Sequence, residues 1–150
     1  MSRAGYSEGD GSQEENWAHI RWRGVVASSI RGKRGQAFLR DLADALDAMP
    51  EKRLITGDLE RDGNVCAIGS LGVRRGIDLA ALDPDEYGQI ASAFDVASPL
   101  VREIEYLNDE EGWNWKEQRH ETPEERWQRM RKWVAASITE ARQQEQSHEA

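Results

Sequence analysis

The segment DGNVCAIGSLGVRRG, residues 62 to 76, combines features that point to several different chemistries. It contains the single cysteine of the chain, four glycines and two adjacent arginines. Val65, Ile68, Gly69 and Gly72 recur at the spacing of one side of a helix. The segment closes with cationic side chains and a glycine, which is how helices commonly end. We therefore predict a short helix here.

This predicted helix begins at Asn64 as its N-cap and ends at Gly76. Each interior glycine costs about 1 kcal/mol relative to alanine, so Gly69 and Gly72 need a structural reason. We expect them to let a neighbouring helix approach closely, with Cys66 filling a small apolar site. The segment lacks the Gly-Lys-Ser/Thr ending and the preceding strand of a phosphate-binding P-loop.

The flanking segments carry mostly helical signals. Residues 15–31 are apolar around most of the helix circumference, which predicts a helix packed on more than one side, with Trp17 and Trp22 in the core. Residues 36–49 form the clearest amphipathic helix. Three further helices are predicted to begin where a capping residue precedes proline, at Asp83, Ser98 and Thr122.

Two connecting segments are less regular. Leu54, Ile55 and Leu59 fit short helical turns, and we favour helical or irregular structure here. Asp62-Gly63 also fits the turn of a small hairpin, so the choice for residues 53–68 stays open. The segment EEGWNWKEQRHE, residues 110–121, is predicted to be a loop or extended.

The fold class expected from these signals is all-α, or mainly α with one short hairpin, in a compact bundle of about five or six helices. The length of 150 residues fits one domain. We expect a disordered tail over residues 1–13, a single helical domain over 14–143 and a frayed tail over 144–150.

Composition excludes several classes of function. One cysteine allows no internal disulfide, the opening residues lack a secretory signal, and no apolar run reaches the roughly 18 residues of a membrane span. We expect a cytoplasmic protein that does not contact membrane. There is no Cys-x-x-Cys and no His-x-x-x-His, so no metal and no cofactor are predicted. Cys66 has no histidine near it in sequence, so we predict an inert core thiol and no catalytic residue.

The net charge of −8 is unevenly spread along the chain. No acidic residue occurs from 16 to 40, and this part supplies the candidate basic contacts, Arg21, Arg23, Arg31, Lys33 and Arg34. No Lys or Arg occurs from 77 to 101, and this part with its continuation supplies the candidate acidic face, Asp83, Asp85, Glu86, Glu103, Glu105, Asp109, Glu110 and Glu111. The two groups either complement each other within the fold or form partner surfaces.

The two charged groups suggest two hypotheses, protein binding through the acidic face and nucleic-acid binding through the basic residues. Nucleic-acid binding is the weaker of the two. Residues 87–106 have the apolar spacing of a helix-turn-helix, but the acidic second helix would repel phosphates. Aromatic and basic residues alternate in residues 17–35 and could stack on and neutralise nucleic acid. Trp113, Trp115 and Trp133 fit either core packing or an exposed interface.

The chain resembles an uncharacterised small protein family of phages and prophages. The resemblance covers most of residues 2–139 and rests on SRAGYS, NWAHIRWRGVVASSIRGKRGQAFLRDLADALDAMPEKRLI, GNVCAIGSLGVRRGIDL, EYLNDE and RWQRMRKWV. It includes a Cys-Ala-x-Gly helix at Cys66 and a later Asn-Asp pair, Asn108 and Asp109. The resemblance implies a phage-related origin and carries no activity. We expect the Asn-Asp pair to cap helices and tie the core together.

These observations predict a non-enzymatic binding protein that inhibits or modulates a host protein through its acidic face. The host target would be a nucleic-acid-binding or defence complex, for example a CRISPR effector or a nuclease. The alternative is a nucleic-acid-binding accessory protein that uses the basic 21–34 segment. The sequence sets no oligomeric state.

Overall fold

The computed structural model describes the backbone of residues 13–149 and the side chains of residues 16–138. In chain order the helices are α1 (Gln13–Arg31), α2 (Lys33–Ala48), α3 (Ala67–Arg75), α4 (Tyr87–Phe94), α5 (Ser98–Glu110) and α6 (Pro123–Glu149). The strands are β1 (Glu60–Arg61), β2 (Asn64–Val65), β3 (Trp113–Asn114) and β4 (Arg119–His120), and a 3₁₀ turn spans Leu79–Ala81. The fold is mainly α, as predicted.

Helix α2 packs against three other helices, α1, α3 and α6. Phe38, Leu42 and Leu46 are spaced at four-residue intervals and are all buried, because this spacing places them on one side of the helix. Phe38 meets Phe94 of α4 edge to face, with 6.4 Å between ring centroids. Burial of each such side chain stabilises the fold by about 1.5–3 kcal/mol. The amphipathic helix predicted over 36–49 is thus confirmed.

Residues 60–65 form a tight hairpin rather than the helical or irregular structure that we favoured. Glu60 pairs with Val65 and Arg61 with Asn64. Asp62 and Gly63 both have positive φ, 54° and 81°. Positive φ at both central residues defines a two-residue type I′ turn, whose twist matches that of paired strands. The local turn chemistry of Asp-Gly therefore decides this segment.

The hairpin also corrects the predicted start of α3. Asn64 pairs with Arg61 as part of β2, so it does not cap the helix. Cys66 is the N-cap instead, and its Sγ accepts from the backbone N–H of Gly69 at 3.4 Å. The predicted end is confirmed, because Gly76 adopts the left-handed conformation with φ of 70°.

Two of the other predicted caps are displaced. Asp83 lies outside α4, which begins at Tyr87, and its Oδ1 accepts from the N–H of Asp85 at 2.9 Å in the turn before the helix. Ser98 is the first residue of α5, and Ala97 is its N-cap. A side chain that bonds to nearby backbone stabilises a turn as well as a helix start, so the sequence signal is ambiguous by a few residues.

The start of α6 is confirmed. Thr122 Oγ1 accepts from the N–H of Glu125 at 3.1 Å, and Glu125 Oε1 accepts from the N–H of Thr122 at 3.0 Å. This reciprocal pair is a capping box. Before it, residues 113–120 form a second short hairpin, in which Trp113 pairs with His120.

The prediction that Trp17 lies in the core is wrong. Val26 is buried and Trp22 and Ile30 are half-buried, whereas Trp17 and Ile20 are exposed. Helix α1 contacts α2, α5 and α6, and the side that carries Trp17 and Ile20 faces outward.

The predicted N-terminal tail lies almost wholly outside the residues that the structure describes. Of the predicted C-terminal tail, 144–150, the structure describes only the backbone of residues 144–149. Both stay predictions.

In the part of the chain that the structure covers, no helix combines the length and the apolar character needed to cross a membrane.

Candidate functional site

The structure brings a thiol and a carboxyl group together at the start of α3. Cys66 Sγ lies 3.7 Å from Glu105 Oε1 on α5 and donates to it. Both residues are buried, and Glu105 is only 1% exposed. Nucleophilic sites use thiols, helix N-termini and neighbouring side chains that can accept a proton.

The backbone of the β1–β2 hairpin lies against this helix start. Cys66 N–H donates to Leu59 O at 3.1 Å. A Cβ added at Gly69 would lie 2.0 Å from Leu59 O. The hairpin therefore covers the first turn of α3, and Cys66 has no exposed surface in this structure. The predicted core position of Cys66 is confirmed, and its lack of reactivity stays a prediction.

Asn108 joins three parts of the fold next to this pair. Its Oδ1 accepts from Ala67 N–H at 3.1 Å, and its Nδ2 donates to Ile55 O and to Asp109 Oδ1, both at 2.9 Å. Asp109 in turn accepts from Gly57 N–H at 3.4 Å. The Cys-Ala-x-Gly and Asn-Asp elements thus meet in space, and the Asn-Asp pair ties α5 to α3 and to the chain before β1, as we expected.

The predicted acidic face is divided by the fold. Glu103 and Glu105 are 3% and 1% exposed, so the structure removes them from any partner surface. Glu103 accepts from Arg23 Nη1 with both carboxylate oxygens, at 2.8 and 2.7 Å. Asp109 is half-buried in the contacts described above. Within the fold, Glu103 and Glu105 are therefore partners of other groups of the chain.

Five members of the acidic set remain exposed. They lie in two groups, Asp83, Asp85 and Glu86 in the turn before α4, and Glu110 and Glu111 at the end of α5. Whether they contact a partner stays a prediction.

The predicted basic residues fall into two classes. Arg23 is committed to buried Glu103, and Arg34 lies 3.9 Å from Asp95. Arg21, Arg31 and Lys33 have exposed side chains.

The outward side of α1 carries Arg21 and Arg31 together with apolar side chains. We define the α1 face by six exposed residues at helical spacing, Trp17, Ile20, Arg21, Gly24, Ser28 and Arg31. Trp17 and Ile20 are 55% and 59% exposed. A Cβ added at Gly24 would meet nothing within 4 Å. The face is therefore apolar at one end, open in the middle and cationic, with no acidic side chain.

The β3–β4 hairpin presents a second aromatic group. Trp115 is 82% exposed, and its ring lies 6.1 Å from that of Trp113. Trp113 also contacts the ring of His120 at 4.9 Å. Trp133 is half-buried against the core. Of the two alternatives left open for these tryptophans, core packing and an exposed position, the structure shows the exposed position for Trp115.

The sequence did not predict the contacts of Arg102 with two aromatic rings. The guanidinium of Arg102 lies 4.5 Å from the ring centre of Trp22 and 5.8 Å from that of Tyr87. The burial of Glu105 and Asn108 had a sequence signal, because each follows a buried apolar residue of α5 by four positions, Val101 and Ile104 respectively.

Metal binding finds no support in the part of the chain whose side chains are described. Residues 16–138 contain no group of three or more His, Cys, Asp or Glu side chains placed to hold an ion.

No protein-family model matches the chain, and neither a curated protein nor a solved structure is similar enough to count as a match. Function is therefore argued from the surfaces described above.

Proposed function

We propose that the chain is a non-enzymatic binding protein and that the α1 face is its partner surface. One observation carries this proposal: Trp17 and Ile20 are both more than half exposed on a helix whose opposite side is packed. Contiguous exposed apolar side chains with polar neighbours are typical of interaction sites. Tryptophan and arginine are also the residues most often found at energetic centres of interfaces.

The spacing of these residues fits a helix that lies in a groove of its partner. Trp17, Ile20 and Gly24 follow the three- and four-residue intervals by which such helices anchor. The open space around Gly24 allows close approach of a partner backbone. Arg21 and Arg31 flank the apolar part, so we propose a protein groove with an apolar floor and acidic rims.

We further propose that this partner is a host protein and that binding modulates it. The resemblance to phage and prophage proteins supports this part of the proposal. A defence nuclease or CRISPR effector is the target class that we propose on that basis.

The competing hypothesis is that the acidic face binds the partner by mimicking phosphates. It now depends on Asp83, Asp85, Glu86, Glu110 and Glu111, because the fold buries Glu103 and Glu105. These five residues are exposed, so their reversal to lysine tests mimicry while the buried Glu103 and Glu105 stay unaltered.

The test is affinity capture from a lysate of the host, read by mass spectrometry, with four tagged proteins. They are the unaltered chain, the α1 variant Trp17→Ala with Ile20→Ser, the reversal of the five exposed acids, and Trp115→Ala as a matched aromatic control. We expect the α1 variant to lose the partner by at least about tenfold, since hot-spot truncations cost more than about 1 kcal/mol each. The acid-reversed and control proteins should keep it.

Capture that survives in the α1 variant would overturn the proposed surface. Loss only in the acid-reversed protein would restore the mimicry hypothesis. Thermal unfolding of all four proteins separates lost binding from lost folding.

Nucleic-acid binding through the 21–34 segment is a second candidate, favoured by the exposed side chains of Arg21, Arg31 and Lys33 and by the exposed Trp17 on the same helix as the two arginines. Tryptophan stacks on bases without sequence preference, and cations bind phosphates in a salt-dependent way. Fluorescence polarisation with labelled single-stranded DNA and RNA tests it. Binding at low salt that weakens in Trp17→Ala supports this candidate, and no binding at low salt removes it.

A further inference from the structure

A groove opens between the end of α2, the β1–β2 turn and α3. Its volume is about 370 Å³, within the roughly 300–1,000 Å³ range of small-molecule sites. Its apolar wall comes from residues on all three elements, Ala45, Ala48, Met49, Val65 and Val73. The small side chains of Ala45 and Ala48 leave the space that a larger residue would fill.

Val73 is the least expected member of this wall. It is 58% exposed, although most of the apolar residues of α3 are buried. Val73 lines the groove together with Ser70 and Arg74 of the same helix. An apolar occupant of the groove would therefore cover a side chain that the fold itself leaves in water.

Two polar groups at the groove are available to a ligand. Arg74 and Asn64 line it, and neither side chain has a hydrogen-bond or ion-pair partner among the described residues 16–138. Arg53 also lines the groove, but Glu51 neutralises it at 2.6 Å. The groove thus presents one unpaired guanidinium and one unpaired amide beside an apolar wall.

The guanidinium, the amide and the apolar wall together limit the charge and the size of a ligand that fits the groove. A guanidinium presents parallel N–H donors that match the two oxygens of a carboxylate. With one unpaired cation the groove balances one negative charge, which favours a monocarboxylate over a dianionic phosphate ester. The volume limits the apolar part to a short chain or a small ring.

We infer that the groove binds a small apolar monocarboxylate. Its carboxylate lies at Arg74 and Asn64, and its apolar body lies against Met49, Val65 and Val73. This site is on different elements from the α1 face, so its existence does not depend on the proposed function.

The test follows the amide signals of the ¹⁵N-labelled full chain during titration with octanoate. We expect saturable shifts concentrated at Val65, Ser70 and Val73, with a Kd in the roughly millimolar range for a ligand of this size. Octanol, which lacks the charge, should bind about tenfold more weakly, and acetate, which lacks the apolar body, should leave these amides unshifted.

Substitutions assign the carboxylate to Arg74. Arg74→Gln should weaken octanoate binding about tenfold, the lower range for loss of a charge-assisted hydrogen bond, and leave octanol binding unchanged. Arg40→Gln, the same change at an exposed α2 residue outside the groove, should have no effect. Ala48→Phe should fill the groove and weaken both ligands, with thermal unfolding as the check on folding.

Three results would overturn the inference. These are no saturable shift up to the solubility limit of octanoate, shifts scattered away from the groove, or equal effects of Arg74→Gln and Arg40→Gln. Each result can occur whether or not the α1 face binds a protein partner, so the two proposals fail separately.

Discussion

Arg21 and Arg23 lie two positions apart on α1 and have opposite surroundings. Arg23 donates to both oxygens of Glu103, which is buried on α5. Arg21 is exposed on the α1 face. Removal of Arg23 would leave a buried carboxylate without this partner, which is far more costly than removal of an exposed charge.

We predict that Arg23→Ala lowers the free energy of unfolding by about 1–3 kcal/mol. The value lies below the 3–5 kcal/mol of a fully buried pair because Arg23 is half exposed to solvent. Arg21→Ala should change it by less than about 0.5 kcal/mol. Urea unfolding at neutral pH measures both, and equal effects would show that the Arg23–Glu103 pair does not stabilise the fold.

Gly69 and Gly24 provide a second contrast at the residue scale. Both lie inside helices, but an added Cβ at Gly69 would meet the backbone oxygen of Leu59, whereas at Gly24 it would meet nothing. Alanine improves helix propensity at either position by about 1 kcal/mol. Only at Gly69 does it also force the hairpin away.

We predict that Gly69→Ala destabilises the protein by about 1–3 kcal/mol, the usual cost of overpacking, while Gly24→Ala stabilises it by up to about 1 kcal/mol. Thermal unfolding of the two variants, compared with the unaltered chain, provides the measurement. A stabilising Gly69→Ala would mean that the hairpin does not press on α3 as described.

At the scale of elements, the start of α6 combines a capping box with an ion pair. Glu125 Oε1 accepts from Arg119 Nη1 at 2.8 Å as well as from Thr122 N–H. The hydrogen bond from Arg119 is the main cause that lowers the pKa of Glu125 from its ordinary 4.5 to about 2, and the Thr122 backbone adds to it. The carboxylate therefore links β4 to α6 in its ionised form.

The pH dependence follows from the direction of this shift. A carboxyl group with a lowered pKa in the folded state stabilises the fold above pH 4.5, and this stabilisation is lost as pH falls towards about 2. We predict that Glu125→Gln, which keeps a capping oxygen but not the charge, is less stable than the unaltered chain at pH 7. The difference should shrink as pH falls through this range.

Urea unfolding of both proteins at a series of pH values measures the difference. A difference that stays constant from pH 7 to pH 2 would contradict a charge-dependent contact. Glu124→Gln, at a neighbouring exposed residue, is the control and should show little change at any pH.

The elements were predictable where one local signal dominated. Thr122 and Glu125 formed their capping box, and Phe38, Leu42 and Leu46 formed one buried side of α2. Prediction failed where two local structures compete for the same side chain. Asn64 can cap a helix or pair in a strand, and the Asp-Gly turn before it decided in favour of the strand.

At the scale of the whole molecule, the sequence could not assign sides to α1 and α5. Apolar residues around α1 are equally compatible with burial within the chain and with burial by a partner, and Trp17 and Ile20 remained exposed. Glu103 and Glu105 lie on nearly opposite sides of α5, and both are buried because α5 contacts α1, α3, α4 and α6. Glu110 is the last residue of α5 and stays exposed, so charge counted along the chain overstated the acidic face.

The most direct test of the α1 face is site-specific photo-crosslinking in the host. A photo-crosslinking residue is placed at position 20 on this face, and, in separate proteins, at position 115 on the β3–β4 hairpin and at position 85 in the exposed acidic turn. We predict that irradiation links the partner captured by the unaltered chain from position 20 and not from the other two positions. A crosslink to that partner from position 85 or 115, with none from position 20, would contradict the account.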